Sequence, residues 1–173
     1  GVPGARVMLV GEAPGRDEDI EGRPFVGKSG QFLDRMLAAI GLDRTSVYIA
    51  NTVGWRPPGN RTPTPEETAQ CLPFVLRQIE LAAPEVLVLV GGQSTKALAG
   101  LPQGITQIRG QWHMVQVTQA LSLPALPMLH PAYLLRTPSH KKHAWQDLLS
   151  LRRRLDETPQ VAEPVNPAGL PQP

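Results

Sequence analysis

The chain has 173 residues, of which 41% are hydrophobic, and a formal net charge of +2, which suits one domain core and is short for two domains. It contains no apolar run of about 18 residues, which argues against a membrane span, and no signal-peptide pattern at its N-terminus, so we expect a cytoplasmic protein. The single cysteine, Cys71, excludes an internal disulfide and makes a thiolate metal site implausible.

In chain order, the hydrophobic pattern predicts alternating strands and helices. Strands are expected at 7–10, 47–49, 86–90 and 126–129, an edge segment around 112–117, and helices from 29 to about 40, 65 to about 81, 94–98 and 141–155. This order predicts a three-layer α/β fold, with a central four-stranded parallel sheet flanked by helices. We expect one domain over 1–156 and a disordered, proline-rich tail over 157–173.

Polar residues follow three of the predicted strands. Glu12 comes after the first strand in a Gly-Glu-Ala-Pro-Gly motif, Asn51 ends the second, and His130 follows the last. Because ligands of open parallel sheets bind outside the carboxyl ends of the strands, these groups are expected to line one crevice. Taken singly, each could instead be structural: a solvated glutamate, a turn-capping asparagine or a satisfied core histidine.

The charges are unevenly placed along the chain. Five acidic residues and only Arg16 lie between 12 and 21, whereas six Lys or Arg residues and only Asp147 lie between 130 and 155. This asymmetry favours one face for a polyanion and a separate acidic rim, although part of it could be solvated helix surface.

The segment 22–29 satisfies the G-x-x-x-x-G-K-[ST] pattern of phosphate-binding loops. Such a loop must leave a buried strand directly, but here the preceding residues are charged and the nearest predicted strand ends at Val10. No candidate strand ends in the aspartate that would hold magnesium. A nucleotide hydrolase is therefore disfavoured.

Five motifs occur in an order that resembles the family 4 uracil-DNA glycosylases. They are Gly-Glu-Ala-Pro-Gly from Gly11, Gly-Arg-Pro-Phe-Val-Gly-x-Ser-Gly-Gln from Gly22, Tyr-Ile-x-Asn from Tyr48, Arg-Pro-Pro-Gly-Asn-Arg from Arg56 and His-Pro-Ala-Tyr-Leu-Leu-Arg from His130. The resemblance spans 7 to about 155. It implies a monofunctional enzyme that flips uracil out of DNA and hydrolyses its N-glycosidic bond, leaving an abasic site.

The resemblance also implies roles for individual residues. His130 would stabilise negative charge on the departing uracil, and Glu12 would position or activate water or stabilise the cationic sugar. Phe25 would stack on the base, Asn51 pair with its amide edge, and Glu18 lie near the C5 side. Further pocket contacts are expected from Ala13 and Asn60. Leu134 and Leu135 would be the wedge that opens the duplex, and the expected DNA contacts also include Lys28, Ser29, Arg56, Arg61, Tyr133 and Arg136.

One departure from the family concerns its iron–sulfur cluster, which is held by four cysteines. Trp55 occupies one ligand position, and only Cys71 matches. Because one thiolate cannot hold a cluster, we predict a cluster-free member without metal or other cofactor, in which Trp55 and apolar neighbours fill the space.

We expect a monomer that acts on uracil-containing DNA. Two alternatives stay open: a damage sensor that binds uracil-DNA without turnover, and a variant in which a histidine traps the sugar covalently. Glu12 and His130 argue against the first. The second would need a nucleophile in an added loop near the pocket, and none is evident, since His140 and His143 lie beyond the wedge.

Overall fold

The structure, a computed structural model, describes residues 1–158. Its centre is a five-stranded sheet with the order β2-β1-β3-β5-β4, formed by β1 (Val7–Gly11), β2 (Val47–Asn51), β3 (Val86–Val90), β4 (His113–Gln116) and β5 (Ser122–Met128). Four strands pair in parallel, and β4 runs antiparallel to β5 at one edge. The predicted α/β class and parallel strands are confirmed, and the expected edge segment adds a fifth strand.

The sheet is buried on both faces, which makes the fold three-layered. Alternate residues of β1 point to opposite sides: Val7 and Leu9 belong to one hydrophobic cluster, whereas Met8 and Val10 belong to the other. Strands covered on both faces read as continuous apolar runs. This is why the parallel strands were visible in the sequence.

Seven α-helices occur among the described residues: α1 (Arg16–Glu21), α2 (Lys28–Ala38), α3 (Pro65–Ala82), α4 (Gly92–Ala99), α5 (Ile105–Ile108), α6 (Pro131–Arg136) and α7 (Lys141–Glu157). Helix α3 begins as predicted, with Thr64 and Glu67 forming a reciprocal capping box. A proline inside a helix removes one backbone donor and commonly kinks or breaks it, yet α3 continues through Pro73. Pro73 is exposed, so the carbonyl that loses its N–H partner can be solvated.

The connection between β1 and α2, where no helix is among the predicted elements, contains the short helix α1. The carboxylate of Glu18 accepts a hydrogen bond from the backbone N–H of Gly15 and so caps the N-terminus of this helix. The segment 22–29, which matches the phosphate-loop pattern, therefore follows a short helix and not a strand. This connection differs from the strand-to-loop exit of a phosphate-binding loop.

At the other end of the domain, α7 runs to Glu157, two residues past its predicted end. Residues 159–173 of the predicted tail lie outside the described residues. Within 1–158, no helix has the length and apolar composition needed to cross a membrane.

Candidate active site

A cavity of about 440 Å³ opens at the carboxyl ends of the parallel strands. Its volume falls in the range of small-molecule sites. It gathers predicted residues that are more than a hundred positions apart in sequence, namely Glu12, Ala13, Glu18, Phe25, Ser29, Asn51, Asn60, Arg61, His130 and Arg136. The expectation that the strand-end motifs share one crevice is confirmed.

His130 enters this cavity as the N-cap of α6. Its Nδ1 accepts a hydrogen bond of 3.1 Å from the backbone N–H of Ala132, so the proton of the neutral ring is on Nε2. Burial lowers the pKa of His130 to about 4, and the positive charge of Arg136 contributes to the same shift. At neutral pH the ring is therefore an uncharged hydrogen-bond donor through Nε2.

Glu12 follows β1 and is fixed through its backbone. The carbonyl oxygen of Glu12 accepts hydrogen bonds from the Thr52 hydroxyl at 2.8 Å and from the Val53 N–H at 3.0 Å. Burial raises the pKa of the Glu12 carboxyl group, and a hydrogen bond with Thr62 partly offsets this. A half-buried carboxylate of raised pKa suits a group that takes a proton from water.

Asn51 and Phe25 meet over the end of β1. The side-chain amide of Asn51 makes no hydrogen bond to any described residue, so its donor and acceptor are available to a ligand. The Phe25 ring stacks on His130, with ring centroids 5.6 Å apart. Both groups approach Gly11 closely: a Cβ there would lie 2.5 Å from Asn51 Oδ1 and 2.6 Å from Phe25 Cζ. A glycine at this strand end is therefore required for the arrangement.

Glu18 lines the cavity and also organises its loop. Its Oε1 accepts hydrogen bonds from the N–H groups of Val26 at 2.9 Å and Gly27 at 3.0 Å, and its Oε2 accepts one from Gly15. Burial raises the pKa of Glu18, but these backbone donors lower it by more, so the pKa lies below its ordinary value. Glu18 is thus ionised, and its oxygens hold two loop segments together.

The opposite rim is the 3-10 turn Pro58–Asn60 and the residues beside it. Asn60 accepts a hydrogen bond from Arg56 Nε at 2.5 Å, and Arg56 also approaches Asp19 at 3.9 Å. Arg61 pairs with both oxygens of Glu67 at 2.8 Å. Two of the three arginines predicted to contact DNA, Arg56 and Arg61, therefore already have partners in the free protein. Exposed ion pairs are weak enough to be exchanged for a phosphate.

Comparison with known proteins agrees with this site. The family model described as the uracil DNA glycosylase superfamily matches residues 1–149. The type-4 uracil-DNA glycosylase of Thermotoga maritima is 43% identical over 137 residues, covering 79% of this chain and 69% of that protein. The chain belongs to the uracil-DNA glycosylase superfamily.

The type-4 assignment rests on further relatives. The type-4 uracil-DNA glycosylase of Sulfurisphaera tokodaii is 39% identical over 157 residues, covering 88% of this chain and 71% of the relative. The enzyme of the same name from Archaeoglobus fulgidus is 39% identical over 147 residues, covering 83% of this chain and 73% of the relative. This confirms the family expected from the five motifs.

The prediction that Leu134 forms part of the wedge is wrong. The Leu134 side chain is 0% exposed and belongs to the hydrophobic core between α6 and its neighbours, so it cannot enter a duplex. Leu135 is 43% exposed and remains the wedge candidate. Tyr133 is half-buried, and its hydroxyl lies 2.8 Å from His140 Nδ1, which ties α6 to the start of α7.

Helices α2, α6 and α7 carry cations that have no acidic partner among the described residues. Lys28, Arg136, Lys141 and Lys142 form no salt bridge with any described residue. All four are exposed, and Arg136 lines the cavity with Ser29. These cations differ from Arg56 and Arg61, which are paired.

The region of Trp55 does not supply a cluster ligand set. Cys71 is buried and is the only cysteine of the chain. No group of three or more His, Cys, Asp or Glu residues within 1–158 is arranged to hold a metal ion. Trp55 is 48% exposed and lies with Cys71 and Phe74 around an apolar hollow of about 450 Å³. The residues present therefore do not fit a four-thiolate cluster.

The sequence did not identify several residues of the site. Pro14, Gly15, Pro57 and Ala132 also line the cavity. They belong to the quoted motifs, but they received no role because they have no polar side chain. Arg44 was missed as well. It comes from the turn between α2 and β2, outside every motif, and it contacts the Phe25 loop.

Proposed function

We propose that this chain removes uracil from DNA by hydrolysing the N-glycosidic bond, leaving an abasic site. The observation that carries this proposal is the shared cavity, in which an aromatic ring, a free carboxamide, a carboxylate and a neutral imidazole surround one space. These are the groups needed to hold a planar amide-bearing base and to stabilise it as an anion. DNA repair by base excision is the corresponding process.

The base would be recognised after it leaves the duplex. Flipping costs a few kcal/mol and must be offset inside the protein. Phe25 provides the stacking surface, and Asn51 provides a donor and an acceptor for the amide edge of uracil. Glu18 lies on the same wall, where we assign it the C5 side of the base. Asn60 and Ala13 complete the contacts around the nucleotide.

Bond cleavage would then proceed by displacement of uracil by water. The bond between N1 of uracil and C1′ of the sugar breaks, and its electron pair leaves with the base. His130 Nε2–H donates a hydrogen bond to the uracil oxygen on which this charge collects. The water oxygen bonds to C1′, and its proton passes to the Glu12 carboxylate. The products are an abasic sugar and the uracil anion. Uracil then takes up one proton from solvent, and Glu12 releases the proton that it accepted from water.

A neutral histidine suits this step better than a charged one. The low pKa of His130 keeps the imidazole uncharged at working pH, so the group stabilises the departing anion as a hydrogen-bond donor without giving up a proton. The Ala132 N–H holds Nδ1 as the acceptor and leaves Nε2–H for the base. The backbone of α6 thereby selects the useful tautomer.

The DNA strand would cross the side of the cavity that carries unpaired cations. Lys28, Ser29 and Arg136 are the proposed phosphate contacts there, and Leu135 is the proposed wedge beside them. Arg56 and Arg61 would contact phosphate only after exchanging a carboxylate partner. Phosphate contacts of this kind position the duplex without reading its sequence.

We further propose that the chain works without an iron–sulfur cluster, as a monomer in the cytoplasm. Supporting the first point, Cys71 has no second thiolate within the chain. Supporting the second, all the proposed uracil-contacting groups come from a single chain. Iron analysis of the purified protein and its mass in solution test these two points directly.

The decisive experiment incubates the protein with a uracil-containing oligonucleotide, followed by alkali, and uses the thymine oligonucleotide as control. Strand cleavage only at uracil supports the proposal. Retention of the uracil strand without cleavage would make the chain a damage sensor. A shifted band that survives denaturant would make it a covalent binder. Loss of cleavage in His130→Ala ties the activity to the described cavity.

A further inference from the structure

The backbone of Phe25 adopts an unusual conformation. Its φ angle is +53°, in the left-handed region that non-glycine residues seldom occupy. The ring is nevertheless only 5% exposed and stacked on His130. A conformation of this kind persists only where the surrounding structure holds it. Some contact must therefore fix the loop at Phe25.

Arg44 holds the carbonyl side of this loop. Its Nη1 donates a hydrogen bond of 2.9 Å to the carbonyl oxygen of Pro24, and its Nη2 donates one to the carbonyl oxygen of Phe25. Its Nε donates to Asp34 Oδ1 of α2 at 2.7 Å. The planar guanidinium thus bridges two successive loop carbonyls and a helix carboxylate, a geometry that lysine cannot reproduce.

The other side of the loop is held by different groups. Glu18 takes the N–H groups of Val26 and Gly27, immediately after Phe25. Gly30 in α2 lets the loop approach closely, because a Cβ there would lie 1.7 Å from the Phe25 carbonyl oxygen. The loop is thus held by a carboxylate on its N–H side and by a guanidinium on its carbonyl side. Among the described residues, Arg44 is the side chain that satisfies those two carbonyls.

We propose that Arg44 is a positioning residue for uracil excision, which sets the Phe25 ring at the angle needed to stack on the flipped base. This inference rests on the proposed function. Arg44 does not line the cavity, so it would act entirely through Phe25. Without the guanidinium, the left-handed conformation at Phe25 loses its support, and the loop relaxes toward a common backbone region that moves the ring.

The test is a double-mutant cycle between Arg44 and Phe25. Arg44→Gln is expected to lower kcat/KM on a uracil oligonucleotide by about 10-fold to 100-fold, the range given by loss of one stacked base. Arg44→Lys should lower kcat/KM nearly as much, since lysine keeps the positive charge but lacks the planar guanidinium group. In a Phe25→Ala background, Arg44→Gln should change kcat/KM by less than about twofold.

Arg6→Gln is the matched control. Arg6 also pairs through two hydrogen bonds with a carboxylate, Glu85, and donates to the carbonyl of Leu155, but it does not line the cavity. It should lower the melting temperature as Arg44→Gln does and leave kcat/KM unchanged. Inhibition by free uracil gives an independent readout: Arg44→Gln should weaken it, and Arg6→Gln should not.

Each outcome bears on the inference. Wild-type kinetics in Arg44→Gln, or an equal loss with and without Phe25, would overturn it. If Arg44→Gln does not fold, Asp34→Ala provides a milder test, because it removes the acceptor of Arg44 Nε and keeps both carbonyl bonds. It should show a smaller loss that also vanishes in Phe25→Ala. A wild-type protein that does not cleave uracil-DNA refutes the proposed function instead. Direct calorimetric titration of the same variants with free uracil then still tests Arg44.

Discussion

Two kinds of group surround the cavity, and the fold positions them differently. Glu12, Asn51 and His130 lie at or next to strand ends, where the ladder or a helix cap fixes the backbone. Phe25 and Asn60 lie on loops and both have positive φ angles. The Asn51 amide and His130 Nε2 make no hydrogen bond to a described residue, whereas the loops are held by other side chains, including Glu18, Arg44 and Arg56.

The difference suggests that the strand-end groups act in the reaction itself, whereas the side chains that hold the loops act by positioning other groups. The backbone at the strand ends is held mainly by the sheet ladder and by backbone hydrogen bonds, so loss of a side chain there should appear mainly in the reaction rate. The position of a group on a loop depends on side chains outside that loop. Changing one of those side chains should therefore displace the group. Surface charges around the mouth should affect only the encounter with DNA. The following substitutions test this ranking, from the largest expected effect to the smallest.

Loss of His130 should have the largest effect. His130→Ala removes the Nε2–H donor to the departing base, and removal of one such donor typically lowers kcat by about 10²-fold to 10³-fold. Single-turnover cleavage of a uracil oligonucleotide measures the change. The matched control is His113→Gln in edge strand β4. Nε2 of His113 has no partner among the described residues, and this variant should cleave at the wild-type rate. A similar rate for both variants would contradict a role of His130 in the bond-breaking step.

Glu12→Gln should reduce kcat by about 10²-fold, the range of a lost general base, and change its pH dependence. The reaction needs the ionised carboxylate, whose pKa is raised above its ordinary value of 4.5. Wild-type kcat should therefore fall as pH decreases through that raised pKa. His130 stays neutral there because its pKa is about 4.

The residual activity of Glu12→Gln should be independent of pH across the same range. A profile of kcat against pH for both proteins is the measurement. An acid limb that persists unchanged in Glu12→Gln would assign the limb to another group and remove Glu12 from the proton transfer.

Gly11→Ala connects the two kinds of group. The added Cβ would lie within 2.7 Å of both the Asn51 amide and the Phe25 ring, so at least one must move. A displacement of about 1 Å in a catalytic site can cost 10²-fold in rate, and we expect kcat/KM to fall by about 10-fold to 100-fold. The control is Gly104→Ala, where no heavy atom lies within 4 Å of the added carbon. Unchanged kinetics in Gly11→Ala would mean that the cavity tolerates movement of these groups.

The smallest effect is expected for an exposed charge next to the cavity. Lys28→Glu, adjacent to the cavity-lining Ser29, should raise KM several-fold and leave the single-turnover cleavage rate unchanged. Because each lost phosphate contact reduces the slope of log K against log salt by about 0.9, DNA binding should become less dependent on salt. Lys96→Glu on α4 carries the same charge change and should leave the slope unaltered. If both lysine-to-glutamate variants changed the salt dependence equally, the lysines would act by general electrostatic attraction to DNA and not by contacts at a defined site.

The sequence by itself determined the sheet, the order of its strands along the chain and the groups at their ends. The apolar runs that precede Glu12, Asn51 and His130 could be recognised because a strand buried on both faces has a continuous hydrophobic sequence. Parallel strands must place their carboxyl ends at one edge, so the convergence of these groups followed without coordinates. The five ordered motifs were sufficient to identify the family.

Only the tertiary structure decided which side chains are buried and what supports the loops. Leu134 and Leu135 are adjacent in one motif, yet one lies in the core and the other is exposed, because helix α6 turns about 100° per residue against α2. Arg44 belongs to no motif, and its reach to Phe25 depends on how α2 and β2 place their connecting turn. Contacts between segments distant in sequence are set by packing, and a local pattern of residues does not encode them.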